Sequence, residues 1–173
     1  LNIGDLIPAN RNESLELSNR VDLSYTDGLI TGIVFGNGYY NIRNDDGRAY
    51  LGISFNKEDL ELHELTAQYF EVNKTQQPDE LTLHITKDKV VRSFVEKVGL
   101  TLGSKEQLPT SLWESNDNFI KGFIDGLFST DGCVRNDKIV LTNKNKNVTI
   151  EVAKFLAFHG VLSTLREGVA HLN

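Results

Sequence analysis

The sequence predicts an α+β fold in which one order of helices and hairpins is used twice. Three observations carry this. A nonapeptide with glycine at its third and ninth positions, and apolar residues at its first, fourth and fifth, occurs at residues 30–38 and again at 124–132. Each copy is followed by two short strand-like segments around a turn, the mark of a β-hairpin. Hydrophobic residues make up 39% of the 173-residue chain and charged residues 24%, which is the balance of a globular protein with a sizeable core and not of a disordered one.

The elements follow in order. Residues 1–24 are a polar lead-in, with Pro8 closing a short strand or turn. The apolar run 29–35 lies between Thr26-Asp27, an N-cap signal, and Asn37-Gly38, a C-cap signal, which predicts a helix. In residues 39–43, Tyr40 and Ile42 face one way and Tyr39, Asn41 and Arg43 the other. After the turn Asn44-Asp45-Asp46-Gly47, Ala49, Leu51, Ile53 and Phe55 face one way and Arg48, Tyr50 and Ser54 the other. Residues 57–69 read as an acidic helix, and 70–75 with 81–86 as a second hairpin. Residues 88–98 read as a helix with Val90, Val91, Phe94, Val95 and Val98 on its apolar side, stopped by Gly99. Beyond a connector, a helix over 119–130, a tight hairpin over 134–142, a helix over 149–158 and a strand over 161–166 restart the order. The predicted organisation is a lead-in at 1–24, a first repeat at 25–99, a connector at 100–117 and a second repeat at 118–173. The second repeat is shorter, so its last strand and last helix are expected to be missing.

The glycines in the repeated helix need a reason, because each costs roughly 1 kcal/mol relative to alanine. Gly32 with Gly36, and Gly126 with Thr130, place small residues one turn apart on one face. Two such helices can pack closely, run side by side and end together. Their ends carry Asn37 and Asp131. A carboxylate at a helix C-terminus opposes the macrodipole, and a bound cation reverses that penalty. Oxygen ligands select a hard cation, Mg²⁺ (or Mn²⁺). Acidic helix ends below a polar sheet suit metal-assisted phosphodiester hydrolysis.

On these residues the sequence resembles the LAGLIDADG homing endonucleases. Residues 124–132 look like the second motif of that family and 30–38 like the first. Leu108-Pro109 is similar to a pair found in intein-embedded members, and residues 1–8 are similar to the segment that leads from an intein's splicing part into its endonuclease. The resemblance implies two pseudo-symmetric αββαββα repeats, in a monomer whose saddle-shaped antiparallel sheets sit in the DNA major groove. It implies a site-specific double-strand DNA endonuclease. Asp131 and Asn37 would hold metal beside Gly36 and Thr130, and Lys105 would be a catalytic lysine. The DNA-facing set would be Tyr39, Asn41, Arg43, Arg48, Tyr50, Ser54, Thr82, His84, Thr86, Arg135, Lys138, Thr142 and Lys144. Asn37 departs from the aspartate of the family: its amide can offer oxygen to a metal but carries no charge and cannot act as a base. That departure favours the alternative of an inactive DNA-binding or RNA-maturase-like module. The chain begins with neither Cys nor Ser, so it is expected to lack splicing activity of its own.

The formal net charge of −6 opposes a general nucleic-acid binder. Its distribution answers the objection: residues 57–80 hold two lysines against seven acids, whereas 133–146 hold four basic residues against one acid. One cysteine, Cys133, excludes an internal disulfide, and four scattered histidines give no zinc-ligand spacing. The short apolar runs and the lack of a basic, apolar leader predict no membrane span and a cytoplasmic, intracellular protein.

Overall fold

The computed structural model describes residues 21–72, 75–76, 80–166 and 169–172; most of the lead-in, including the intein-like entry at 1–8, lies outside the described residues. Helix α1 (Tyr25–Asn37) begins a turn before its apolar run. Ser24 is its cap: the Ser24 hydroxyl accepts from the Asp27 N–H at 3.1 Å, and the Asp27 carboxylate accepts from the Ser24 N–H at 3.1 Å. The cap therefore sits before Thr26, because this reciprocal box satisfies two orphan donors.

The first sheet comprises β1 (Gly38–Ile42), β2 (Ala49–Asn56), β3 (Thr75–Gln76) and β4 (Glu80–Ile85), in the order β1-β2-β4-β3 and antiparallel throughout. A 3₁₀ turn and α2 (Leu60–Tyr69) leave β2, and α3 (Asp88–Lys97) leaves β4. Of the strand expected over 70–75, Thr75 lies in β3, while the described residues 70–72 do not form a strand. Phe70 closes α2, and Glu71 takes a left-handed φ of 52°. Phe70 is buried there, its ring edge-on against Phe94 of α3 with centroids 5.1 Å apart.

Helix α4 (Asp117–Asp131), capped by Asn116, opens the second half. There follow β5 (Gly132–Arg135), β6 (Lys138–Thr142), α5 (Lys146–Phe158), β7 (Ser163–Arg166) and β8 (Val169–Leu172), the strands ordered β5-β6-β8-β7. The last strand, expected to be missing, is present: β8 pairs with β6, Leu141 opposite Ala170, and with β7. Among the described residues no helix follows it.

Helices α1 and α4 touch backbone to backbone. A Cβ added at Gly28, Gly32, Gly122 or Gly126 would lie 2.1–2.2 Å from a carbonyl oxygen of the facing helix: Phe119, Phe123, Tyr25 and Leu29 respectively. The sequence singles out Gly32 and Gly126; Gly28 and Gly122 extend the same row one turn earlier. Gly36 instead faces the Thr130 hydroxyl. Around this seam the buried faces of the strands, helices and connector (Leu51, Ile53, Leu83, Phe119, Phe123, Leu112) form one core cluster. Asp27, buried at the start of α1, accepts from Lys97 Nζ at 2.7 Å and Tyr69 Oη at 2.6 Å, locking α1 to α3 and α2. Burial pushes the Asp27 carboxyl up, but these donors and Ser24 outweigh it and hold it below the usual range.

Helix propensity favours alanine over glycine by about 1 kcal/mol. Gly126→Ala should nevertheless destabilise the fold by about 1–3 kcal/mol or more, because its methyl meets backbone that cannot move aside. Gly36→Ala, which meets a rotatable hydroxyl, should cost less. Urea denaturation midpoints check both the sign and the ranking.

Candidate functional site

Because α1 and α4 run together, their last residues, Asn37 and Asp131, reach the same end of the molecule. Each helix leads directly into the first strand of a sheet, α1 into β1 at Gly38 and α4 into β5 at Gly132. The paired ends therefore lie at the roots of both sheets. A Cβ on Gly36 would stand 3.6 Å from the Asp131 carboxyl carbon, so the Asp131 side chain reaches across to α1.

The connector brings a cation to the same place. Lys105 Nζ donates to the Gly36 carbonyl at 3.0 Å. Its segment is pinned to β1: the Gly103 N–H donates to the Tyr40 carbonyl at 2.9 Å, and the Tyr40 hydroxyl donates to the Ser104 carbonyl at 3.1 Å. Asn143, at the end of β6, donates its amide Nδ2 to Asp131 Oδ2 at 2.9 Å. Its Oδ1 accepts the Asn145 N–H at 2.9 Å, which fixes the orientation of the amide. Gly36, Asn37, Lys105, Asp131 and Asn143 line a cleft of ≈ 540 Å³ together with Thr142 and Lys144. The Thr130 hydroxyl donates within α4 to the Gly126 and Leu127 carbonyls, which ties its proton to the helix.

Burial lowers the Lys105 ammonium to about 8, against the pull of Asp131. Burial likewise raises the Asp131 carboxyl, against the Asn143 hydrogen bond and the Lys105 charge. Among the described residues no group of three His, Cys, Asp or Glu could hold a metal. The donors present are one carboxylate, the Asn37 amide oxygen and helix-end carbonyls. That all-oxygen set fits Mg²⁺ or Mn²⁺, which bind through one or two carboxylates and complete their shell with water and substrate phosphate.

The sheets carry most of the expected polar residues on one face. In the first, Tyr39, Tyr50 and His84 form a platform: the Tyr39 ring overlies Gly52, its hydroxyl lies 3.5 Å from His84 Nδ1, and the Arg43 guanidinium sits 5.7 Å from the Tyr50 ring. Asn41, Arg48 and Thr86 are exposed and Ser54 half-buried. Thr82 shares the face but is only 7% exposed, because strand pairing places it between Ser54 and Thr75; it is not available to a groove. In the second sheet Arg135 and Lys138 face each other across the hairpin, and Thr142 and Lys144 are exposed. Asn143 escapes a sequence reading: its only signal is the polar run between β6 and α5.

Residues 118–172 match the model of a LAGLIDADG-like domain. No curated protein matches the chain. Among solved structures, that of I-DmoI in complex with DNA and Ca is similar at 19% identity, over 86% of this chain and 82% of that one, with a TM-score of 0.57. The I-LtrWI LAGLIDADG homing endonuclease bound to target DNA is similar at 13% identity, over 86% and 77%, with a TM-score of 0.57. The meganuclease I-SmaMI bound to uncleavable DNA follows at 11%, over 84% and 77%, with a TM-score of 0.56. The fold of this chain is thus that of the LAGLIDADG homing endonucleases.

Lys105 gives a pH test. Its folded pKa, about 8, lies below that of an unfolded lysine, so between pH 8 and about 10.5 the unfolded chain binds the extra proton and wild-type stability rises with pH. Relative to Lys105→Met, the wild type should gain stability across that window and gain little below pH 7, as read from thermal unfolding at a series of pH values.

Proposed function

We propose that this chain is a site-specific DNA endonuclease of the LAGLIDADG homing type, acting as a monomer whose two repeats are related by a pseudo-two-fold axis along the α1–α4 seam. The observation that carries it is the meeting of Asp131, Asn37 and Lys105 at two paired helix ends that feed two sheets with polar faces. The corresponding strand orders of those sheets support the repeat. The buried Leu108-Pro109 pair beside Lys105 supports an intein setting.

Arg43, Arg48, Arg135, Lys138 and Lys144 contact backbone phosphates and base edges, while Tyr39, Asn41, Tyr50 and His84 offer hydrogen bonds in the major groove. DNA seated there brings a phosphate over the helix ends. A divalent cation, when bound, supplies Lewis-acid activation of water and stabilises the leaving oxygen. Asp131 holds it with a charge, and Asn143 keeps that carboxylate in one orientation. Asn37 contributes a neutral oxygen only. Lys105, held at the Gly36 carbonyl, sets a positive charge beside the reacting phosphate. Asn37 also favours a second reading, in which the fold binds DNA without cutting it, or serves RNA in the manner of a maturase.

Duplexes selected from a random library test the reading. Binding should weaken with salt at a log–log slope near −0.9 per phosphate contact, and failure to enrich any duplex would sink the proposal. Removing Arg43 or Arg135 should cost about 1–3 kcal/mol of discrimination wherever either reads a base.

The charge difference between Asp131 and Asn37 predicts unequal cutting of the two strands, seen as nicking of a supercoiled target before linearisation. Asn37→Asp should speed the slower strand, and Asp131→Asn should abolish cleavage while leaving binding largely intact. Balanced cutting by the unmodified chain would show that the charge difference does not govern the rate. Inactivity that persists in Asn37→Asp selects the non-cutting reading.

A further inference from the structure

On the polar face of the first sheet, one row of residues crosses β1, β2 and β4. Tyr39 of β1 stands opposite Gly52 of β2, and Gly52 stands opposite His84 of β4. A glycine inside a strand packs nothing of its own and marks a close approach. Here the approach is the Tyr39 ring. A Cβ on Gly52 would lie 2.1–2.5 Å from Cζ, Oη and Cε1 of Tyr39, so the outer end of the ring rests on the Gly52 backbone. The ring thus crosses β2 and carries its hydroxyl to 3.5 Å from His84 Nδ1. Tyr50, on the same face, closes edge-on against Tyr39 with centroids 6.0 Å apart.

The second hairpin lacks this seat. Gly38 opposite Ile53 corresponds to Gly132 opposite Leu141, because each of these glycines directly follows one of the paired helix ends. By that register Cys133 and Val140 stand where Tyr39 and Gly52 stand in the first hairpin. The row therefore belongs to one half of the molecule.

The Tyr39 contact decides what His84 offers. Of the two groups, a phenol is the stronger donor and an imidazole nitrogen the stronger acceptor, so the Tyr39 hydroxyl donates to Nδ1. A neutral imidazole that accepts at Nδ1 carries its proton on Nε2. His84 is exposed, so the sheet presents an N–H donor there. In the major groove N7 is the acceptor that both purines display, whereas cytosine displays an amino donor.

We propose that His84, fixed by Tyr39 lying across Gly52, reads the N7 of one purine in the half-site that faces the first sheet. The inference rests on the DNA-binding reading above and adds to it one residue, one base atom and one half-site. His84 determines specificity at that purine. Tyr39 and Gly52 act through His84 and are positioning residues.

The duplex enriched from the random library supplies the test. It is resynthesised with a 7-deazapurine at each purine in turn, which replaces N7 by C–H and leaves Watson–Crick pairing intact. One of these substitutions should weaken binding about 3–10-fold, the loss expected of one hydrogen bond. That penalty should vanish in His84→Ala while penalties at other purines persist. Tyr39→Phe, which keeps the ring and removes the hydroxyl, should reduce it. Gly52→Ala should reduce it too, by displacing the ring, and should melt as the unmodified chain does, because the new methyl meets only the far end of a flexible side chain. A general loss of stability would weaken binding to every duplex alike and would not single out one purine.

The same penalty in the unmodified chain and in His84→Ala at every purine overturns the proposal. So does a His84-dependent penalty that Tyr39→Phe or Gly52→Ala leaves unchanged. A library that enriches no duplex removes the endonuclease reading and this inference with it, whereas an enriched duplex without a His84-dependent purine removes the inference alone.

Discussion

The contact on which the rest of this molecule depends is the approach of α1 to α4 through Gly28, Gly32, Gly122 and Gly126. Any Cβ along that row would press into a carbonyl of the opposite helix. With side chains on the row, ordinary packing would part the axes to roughly 8–10 Å, and the two C-termini would no longer share one site. The cost in helix propensity at four positions is borne by the packing that surrounds the seam, where Phe119, Phe123, Leu127 and Ile33 are fully buried. The seam also orients the sheets, since each first strand continues directly from one of the two helices.

At the end of the seam, burial and charge oppose each other. Asp131 and Lys105 are both pushed toward neutrality by burial, and each is partly restored by the other. The site is thus short of charge compensation before any ligand arrives, which is a usual condition of groups whose protonation is tuned for chemistry. The Asn143 amide adds a neutral constraint, holding one carboxylate oxygen without cancelling its charge. The asymmetry between Asn37 and Asp131 then concerns the distribution of charge, because both residues occupy the same position at a helix end.

A second asymmetry lies at the outer surface. The first half is sealed by α3 and by the connector that also delivers Lys105, so its closure and the placement of that lysine are one structural event. The second half has its four strands and α5, yet leaves Val134, Ile139 and Phe158 facing solvent.

Much of this was legible in the sequence by itself. The doubled nonapeptide fixed the two seam helices and their closing residues. Alternation fixed which strand faces are apolar, and charge counting separated an acidic helix from a basic hairpin. These are patterns with periods of two or of three to four residues, written locally by the geometry of strand and helix. The tertiary structure alone decided the rest: that Asn143 holds Asp131, that Lys105 reaches the Gly36 carbonyl, that Thr82 is hidden on a polar face, that Phe70 stacks on Phe94 rather than entering a strand, and that β8 completes the second sheet. Each of these joins residues brought together by packing, and no short period in the chain encodes which distant partners the core will bring within hydrogen-bond reach.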